Sequence, residues 1–219
     1  MPSGGLDAFP EGLSSFEFDD QKGDAPLYQS LLRDASFYSL LLRADEDLAA
    51  AARERGCVRC GGVLHSARFP RKPRGGPAEL DPRHRHRLSF CCSVEGCRKR
   101  VTPASLRFLG RKVFFSVWVL LLPVLREGPT PVRLSRLEEV FAVSRRTLLR
   151  WRRWWRETVP QSGFWQARRG DWAAPVETAA LPGSLLQAFT AIVEASERVR
   201  ATLRWLAPLG GTVPPAYGI

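Results

Sequence analysis

Hydrophobic residues recur at helical spacing between Val132 and Val159, and the pattern predicts two helices joined by a tight turn. In the second helix Leu148, Trp151 and Trp155 lie three and four residues apart and share one face. Ser144 is suited to cap that helix, because its hydroxyl can accept a backbone N–H that the helix leaves unpaired. The apolar face of the first helix consists of Leu134, Leu137, Val140 and Phe141.

Three other stretches carry helical patterns. Residues 25–56 predict one helix or two short ones up to Arg43, and then a helix whose acidic start at 44–47 would complement the helix dipole. Residues 111–126 predict a buried helix, because this apolar run contains Pro123 and is shorter than the roughly 20 residues of a membrane span. A last helix is expected at 184–206, where it would pack on the central helices or against a copy of itself. Its predicted apolar stripe consists of Leu185, Phe189, Ile192, Val193, Val199, Leu203 and Leu206.

The formal net charge of +11 is unevenly distributed along the chain. Residues 1–56 carry five basic and 11 acidic side chains, whereas residues 57–156 carry 23 basic and six acidic ones. A central block with a net charge of +17 indicates a polyanionic partner, with acidic membrane lipid as the weaker candidate. The acidic prefix could fold back on this block or engage a protein partner, and its sequence leaves both open.

The second predicted helix carries six arginines between residues 145 and 157 and only one acid, Glu157. A solvated helix face usually mixes signs, since like charges one turn apart repel, so the imbalance favours nucleic-acid binding over a merely solvated face. For Trp154, a position in the protein core is favoured over stacking on nucleic-acid bases. We expect Arg145, Arg146 and Arg150 to face the major groove, where arginine reaches guanine O6 and N7. Phosphate contacts are expected from Arg152, Arg153 and Arg156, and Ser144 is counted with this nucleic-acid-binding set.

The five cysteines favour metal binding over disulfides, because nothing at the N-terminus resembles an export signal. Cys57 and Cys60 stand at the spacing of a zinc knuckle, and Gly61 allows the left-handed backbone that such a turn needs. Cys97 belongs to the second half, together with Cys92 or Cys91. We therefore predict a structural Zn²⁺ site, although unliganded core thiols would also account for these residues.

Strand alternation bears on the third ligand, because it puts Leu88, Phe90 and Cys92 on one face and so favours Cys92 over Cys91. The predicted ligands are Cys57, Cys60, Cys92 and Cys97. A mixed site that includes a histidine is the alternative for His65, His84 and His86. The last two alternate with arginines, however, and fit a basic strand better.

About thirty residues separate the two cysteine groups, and they include a basic segment at 69–77. Its prolines and glycines keep the chain extended, and its charges are Arg71, Lys72 and Arg74. Such an arm can follow phosphates or enter a narrow minor groove, and a solvated flexible loop fits the sequence equally well.

The expected fold is therefore mainly α with a small β zinc ribbon, an α+β class, followed by a trihelical helix-turn-helix domain. The strands are predicted at 63–69, 87–91 and 98–102. The predicted order is a mobile tail (1–24), a helical prefix (25–56), the zinc ribbon with its basic insertion (57–106), the trihelical domain (107–159), and a linker with a C-terminal helix (160–219).

The run Val143-Ser144-x-x-Thr147-Leu148-x-x-Trp151 resembles the turn and recognition helix of resolvases, phage regulators and insertion-sequence transposases. With the four-cysteine ribbon before it, the segment 57–159 resembles the N-terminal DNA-recognition half of certain bacterial insertion-sequence transposases. This resemblance implies that the ribbon and the helices bind double-stranded DNA. The long insertion and the Cys92-x4-Cys97 spacing depart from the pattern of the family.

The catalytic half of that family, in which three carboxylates hold two metal ions, does not follow. Only about 60 residues come after position 159, and their acids (Asp171, Glu177, Glu194 and Glu197) lack a strand-and-helix framework to converge them. We assign no catalytic residue and expect a cytoplasmic, non-enzymatic mobile-element accessory or stand-alone recognition protein. Protein partners could bind the acidic prefix or the C-terminal helix. The alternatives are an RNA-binding or protein-interaction module, and a metal-dependent nuclease or transposase with an unrecognised site.

Overall fold

A computed structural model describes residues 24–126 and 142–211, with side chains at 27–125 and 142–211. Its mixture of helices and small sheets agrees with the expected α+β class. The predicted tail (1–24) and the first helix of the predicted pair (132–141) lie wholly or almost wholly outside these residues. The α-helices are α1 (Asp24–Leu31), α2 (Ala35–Glu54), α3 (Ser116–Arg126), α4 (Arg145–Arg153), α5 (Val159–Gln161), α6 (Gly163–Arg168), α7 (Gly183–Gln187) and α8 (Ala195–Leu206).

The cysteine-containing region forms two small antiparallel sheets. One has three strands in the order β1 (Leu64–Ser66), β4 (Phe90–Cys92), β5 (Arg100–Val101), and the other pairs β2 (Phe69–Pro70) with β3 (His86–Arg87). Buried Leu64 lies opposite Cys92, and Phe90 lies opposite Val101. These side chains form a small core of their own, separate from the larger helical core.

The apolar run after the sheets forms α3, which is the centre of the helical core. Its residues from Val117 to Leu122 are almost entirely buried. Helices α1, α4 and α8 all pack against it, which accounts for its hydrophobicity. Among the described residues, no helix has the length and apolarity to cross a membrane.

The N-terminal prefix is part of this core. Helix α2 begins at Ala35, where Asp34 caps it by accepting the backbone N–H of Ser36 at 2.8 Å, and it runs without a break through 44–47. The predicted helix start at 44–47 is therefore wrong. Asp45, which lies there, is 1% exposed and faces inward instead of complementing a helix dipole.

The buried carboxylate of Asp45 joins α2 to the segment after β5. It accepts hydrogen bonds from the Ser105 hydroxyl at 2.6 Å, the Leu106 N–H at 2.6 Å and Arg107 Nε at 2.8 Å. Arg107 is fully buried and also donates to the carbonyls of His84 and His86. Both charges are thus paired and hydrogen-bonded, which is the condition under which buried ions are tolerated.

A second buried guanidinium, that of Arg87, ties β3 to the C-terminal region. Its Nη2 donates to the carbonyl of Pro103 and to that of Gly210, the latter at 2.6 Å. Burial, partly offset by the charge of Asp45, lowers the pKa of Arg87 to about 10. The two small sheets are in this way connected to the end of the described chain.

The predicted single helix at 184–206 is two helices, α7 and α8. Turns follow α7, and Glu194 begins α8 by accepting the backbone N–H of Glu197 at 2.6 Å. Val193 belonged to the apolar stripe in the prediction but is 88% exposed. The buried face of α8 includes Val199, Leu203 and Leu206, and it packs on α1 and α3.

Replacing Gly75 with alanine should destabilise the fold by roughly 2–5 kcal/mol. Its φ of +83° costs an L-residue about 1–2 kcal/mol, and a Cβ there would lie 2.4 Å from Trp118 Cδ2, an overlap worth about 1–3 kcal/mol. Gly96→Ala is the matched control, because its φ is +77° but its Cβ would meet nothing within 4 Å. If urea denaturation shows the same loss of unfolding free energy for Gly75→Ala and Gly96→Ala, Trp118 moves aside freely.

Candidate functional site

Four cysteine sulfurs converge beside the three-stranded sheet. Cys57 and Cys60 precede β1, Cys92 ends β4, and Cys97 lies between β4 and β5. The Sγ atoms of Cys57, Cys60, Cys92 and Cys97 all lie within 4.8 Å of one another and could hold a metal ion. Cys57 Sγ is 3.7 Å from Cys97 Sγ, and Cys60 Sγ is 3.5 Å from Cys92 Sγ. A disulfide would need about 2.05 Å, so these are free thiols brought together without a covalent bond.

Two tight turns present the thiols, and each depends on a left-handed backbone position. Gly61 has φ +70°, as the sequence predicted for the residue after the second cysteine. In the wider second turn Gly96 has φ +77° and Arg98 has φ +42°. Gly62 leaves room for the sulfurs, because a Cβ there would lie 3.2 Å from Cys92 Sγ and 3.3 Å from Cys60 Sγ.

Backbone N–H groups of the turns point at the sulfurs. Those of Arg59 and Cys60 bond to Cys57 and lower its pKa to about 7. Burial raises the pKa of Cys92 to about 12, although the N–H of Val94 bonds to it. Donors aimed at sulfur stabilise the thiolate form, and the thiolate is the form that binds a metal.

The structure separates Cys92 from Cys91. Cys92 is fully buried within the group, whereas Cys91 lies on the other face of β4, where its Sγ contacts the Arg98 carbonyl at 3.5 Å. This is the arrangement that strand alternation favours. His65 pairs with Cys91 in the sheet, so the described structure places it on that face and not in the sulfur group.

The conformation around the other two histidines, His84 and His86, differs from the predicted basic strand. His84 lies in a 3₁₀ turn, Pro82–Arg85, and only His86 belongs to a strand. The buried ring of His84 has its Nδ1 3.1 Å from the carbonyl of Asp81, the residue that caps the turn. Proline at the first position of the turn explains the difference, since its fixed φ favours a helical start.

Helix α4 begins at Arg145, directly after Ser144, as the sequence predicted. The hydroxyl of Ser144 makes no capping bond to the helix backbone, however, and lies 3.1 Å from the Thr147 hydroxyl. A short π-helical turn, Trp154–Thr158, continues α4 into α5. The predicted apolar face of α4 is buried in the structure, with Leu148, Trp151 and Trp155 all inside the helical core.

Contacts with α3 fix the orientation of α4. Trp155 Nε1 donates to the carbonyl of Val119 at 2.8 Å, and the Trp151 ring meets Phe114 edge-on with centroids 4.9 Å apart. Aromatic burial of this kind anchors a helix strongly. The opposite face of α4 is consequently held toward solvent.

That opposite face is arginine-rich and has few acidic partners within the described part of the chain. Arg153 pairs with Glu157 at 2.6 Å, and Arg150 donates to the Thr147 hydroxyl at 3.4 Å. Arg156, by contrast, is half-buried. The exposed arginines that form no ion pair with any described residue are Arg145, Arg146, Arg150 and Arg152.

The basic segment at 69–77 is docked on the body of the protein and is not a free arm. The backbone of Arg74 bonds to Val113 and Phe115, and the guanidinium of Arg71 donates to the carbonyls of Gly110 and Lys112. Arg71 thus serves an internal role that its sequence context did not indicate. Lys72 and Arg74 remain exposed.

Sequence reasoning missed the pairing of Lys112 with Trp154. Lys112 Nζ lies 4.4 Å from the centroid of the Trp154 ring, and both residues are half-buried. Neither spacing nor composition links two residues 42 positions apart. The one available signal was the basic pair Arg111-Lys112 at the entrance to an otherwise apolar helix.

Comparison with known proteins finds no family model, no curated protein and no solved structure that matches this chain. Its function must accordingly be inferred from its own two candidate sites, the four-cysteine group and the exposed arginine face of α4.

Proposed function

We propose that the chain is a zinc-containing DNA-binding protein in which α4 is the recognition helix of a helix-turn-helix. The observation that carries this proposal is the arginine face of α4, held outward by buried tryptophans and short of described carboxylate partners. An unpaired row of guanidiniums repels itself, and that repulsion is relieved when phosphates or guanine edges bind it. The first helix of the motif would lie at 132–141, outside the described residues.

The position of each arginine along α4 supports different roles in DNA binding. Arg145, Arg146 and Arg150 belong to the first two turns, the part of a recognition helix that contacts base edges. Arg152 and Arg153 follow toward the end of α4 and are assigned to phosphates. Breaking the exposed Arg153–Glu157 pair would cost little, since such pairs contribute about 0–1 kcal/mol.

We further propose that the four-cysteine group binds Zn²⁺ and that the unit is a zinc ribbon. The four thiols fit this ion, since tetrahedral Zn–S bonds of about 2.3 Å place sulfurs about 3.8 Å apart, close to the 3.7 Å and 3.5 Å separations. With all four positions taken by sulfur, the ion would stabilise the fold and leave no open position for chemistry. We assign no catalytic role to the chain.

The resemblance of residues 57–159 to the DNA-recognition half of insertion-sequence transposases supports a role in mobile-element DNA recognition. In this proposal the protein recognises a site and either acts alone or delivers a separate catalytic protein. Exposed Lys72 and Arg74 would add phosphate contacts beside α3.

Selection from a random duplex library by the full chain tests the proposal. We expect an enriched motif, and alanine at Arg145 or Arg150 should each cost about 1–3 kcal/mol and relax one position of it. The matched control is Arg204→Ala, which removes an exposed arginine from α8. Enrichment that survives both substitutions would contradict recognition by α4, and a preference for single-stranded RNA over duplex DNA would favour an RNA-binding function.

A further inference from the structure

A small open pocket lies between the turn before α3 and the end of α4. It has a volume of about 330 Å³ and is lined by Leu109, Gly110, Arg111, Lys112, Trp154 and Leu209. Its lining residues combine two leucines and a tryptophan with an arginine and a lysine. This combination matches the two halves of a nucleotide, an aromatic base and a phosphate.

The turn that carries the cations is held in place before any ligand binds. Arg71 donates to the carbonyls of Gly110, at 3.4 Å, and Lys112, at 2.8 Å. Lys112 rests over the Trp154 ring, so its ammonium is kept at the pocket.

Lys112 has no anionic partner among the described residues. Burial and the nearby positive charge of Arg150 both lower its pKa. A phosphate oxygen at this position would raise the pKa of Lys112, because a negative charge favours the charged ammonium. Arg150 lies one helical turn before Trp154, so the pocket continues the arginine face of α4.

We propose that this pocket receives one unpaired nucleotide of the nucleic acid bound by α4, with its base against Trp154 and its phosphate at Lys112 and Arg111. The inference rests on the proposed function. The nucleotide must be unpaired, because a base inside a duplex has both faces covered by its neighbours. As the base occupies the indole face, the ammonium of Lys112 shifts from the ring to the phosphate.

Three DNAs of one sequence test the inference with the full chain: a perfect duplex, the duplex with one bulged thymidine, and the duplex with an abasic bulge at the same position. The bulge is moved along the sequence in steps of one nucleotide, and affinity is measured by fluorescence anisotropy at fixed salt. We expect about tenfold tighter binding of the thymidine bulge at one or two positions, since stacking of a base on an aromatic ring has this order of effect. The abasic bulge should lack most of the gain.

Two variants assign the gain to the pocket. Trp154→Ala should abolish the preference for the bulge, and Lys112→Gln should reduce it severalfold, while both keep the affinity for perfect duplex within about twofold. Because Trp154→Ala removes a side chain that packs on the core, it can also affect folding, and Lys112→Gln tests the pocket without that change. Arg204→Gln is the control that should leave the preference intact.

Each other outcome overturns the inference in a recognisable way. Normal duplex binding without any preference for the bulge would exclude the pocket as a nucleotide-binding site, and the proposed function would still stand. An equal gain with the abasic bulge shows that α4 selects flexible DNA and not a base. A preference that survives both variants places the nucleotide elsewhere, and failure to bind any of the three DNAs removes the proposed function itself.

Discussion

Cys92→Ser should abolish binding of the proposed zinc ion and unfold the cysteine-containing sheets, whereas Cys91→Ser should leave both the ion and the sheets unchanged. Cys92 is fully buried, lies in the four-sulfur group and pairs with Leu64 across β1 and β4. Its loss removes one of the four proposed ligands and puts a hydroxyl into an apolar core of very few residues. Cys91 lies on the opposite strand face, so the two substitutions are identical in chemistry and differ only in position.

The measurements are metal content per chain and thermal unfolding with and without a chelator. We expect one equivalent of Zn²⁺ in the unsubstituted protein and in Cys91→Ser, and a small fraction of that in Cys92→Ser. The midpoint of unfolding should fall by more than about 10 °C in Cys92→Ser, and chelation should produce a similar fall in the unsubstituted protein. Metal retained by Cys92→Ser but lost by Cys91→Ser would reverse the ligand assignment.

Asp45→Asn should cost roughly 3–5 kcal/mol of unfolding free energy, the effect expected when one member of a buried ion pair is removed. The amide leaves the guanidinium of Arg107, which is fully buried, without its counter-charge. Asp47→Asn is the matched control two residues away, because its side chain is exposed and the change should stay within about 0.5 kcal/mol. Urea denaturation of the full chain measures both.

A double replacement, Asp45→Leu with Arg107→Met, distinguishes the pair from its individual charges. Replacing a buried pair with apolar groups is often far less costly than removing one charge. We therefore expect the double variant to be more stable than Asp45→Asn. If it is less stable, the hydrogen bonds from Ser105 and Leu106 contribute more than the pairing of the two charges.

Local patterns in the sequence were enough to predict the buried face of α4 and the choice of Cys92. Both depend on periodicity, which places Leu148, Trp151 and Trp155 on one side of a helix and turns Cys92 away from Cys91 in a strand. The turn at Gly61 was predictable for a similar reason, since its left-handed backbone is a local requirement.

Features that depend on distant partners could not be predicted in this way. Asp45 resembled a charge at a helix start, and its burial is explained by contacts with Ser105, Leu106 and Arg107, 60 to 62 positions later. The segment at 69–77 resembled a free arm because nothing local shows that Gly75 fits against Trp118. The stripe through Val193 suggested one long helix, yet an apolar residue can remain exposed where a capping residue such as Glu194 starts a new helix.

The Arg87 contact with Gly210 has a consequence for the order in which the chain folds. It joins residues 123 positions apart, and α3 is likewise covered by α1 before it and α8 after it. Such long closures slow folding and cannot form until residues 195–210 have been synthesised. A nascent chain halted before residue 195 would lack α8, so the part of α3 that α8 covers would be exposed, and a chaperone that binds exposed hydrophobic segments would be needed most during that interval.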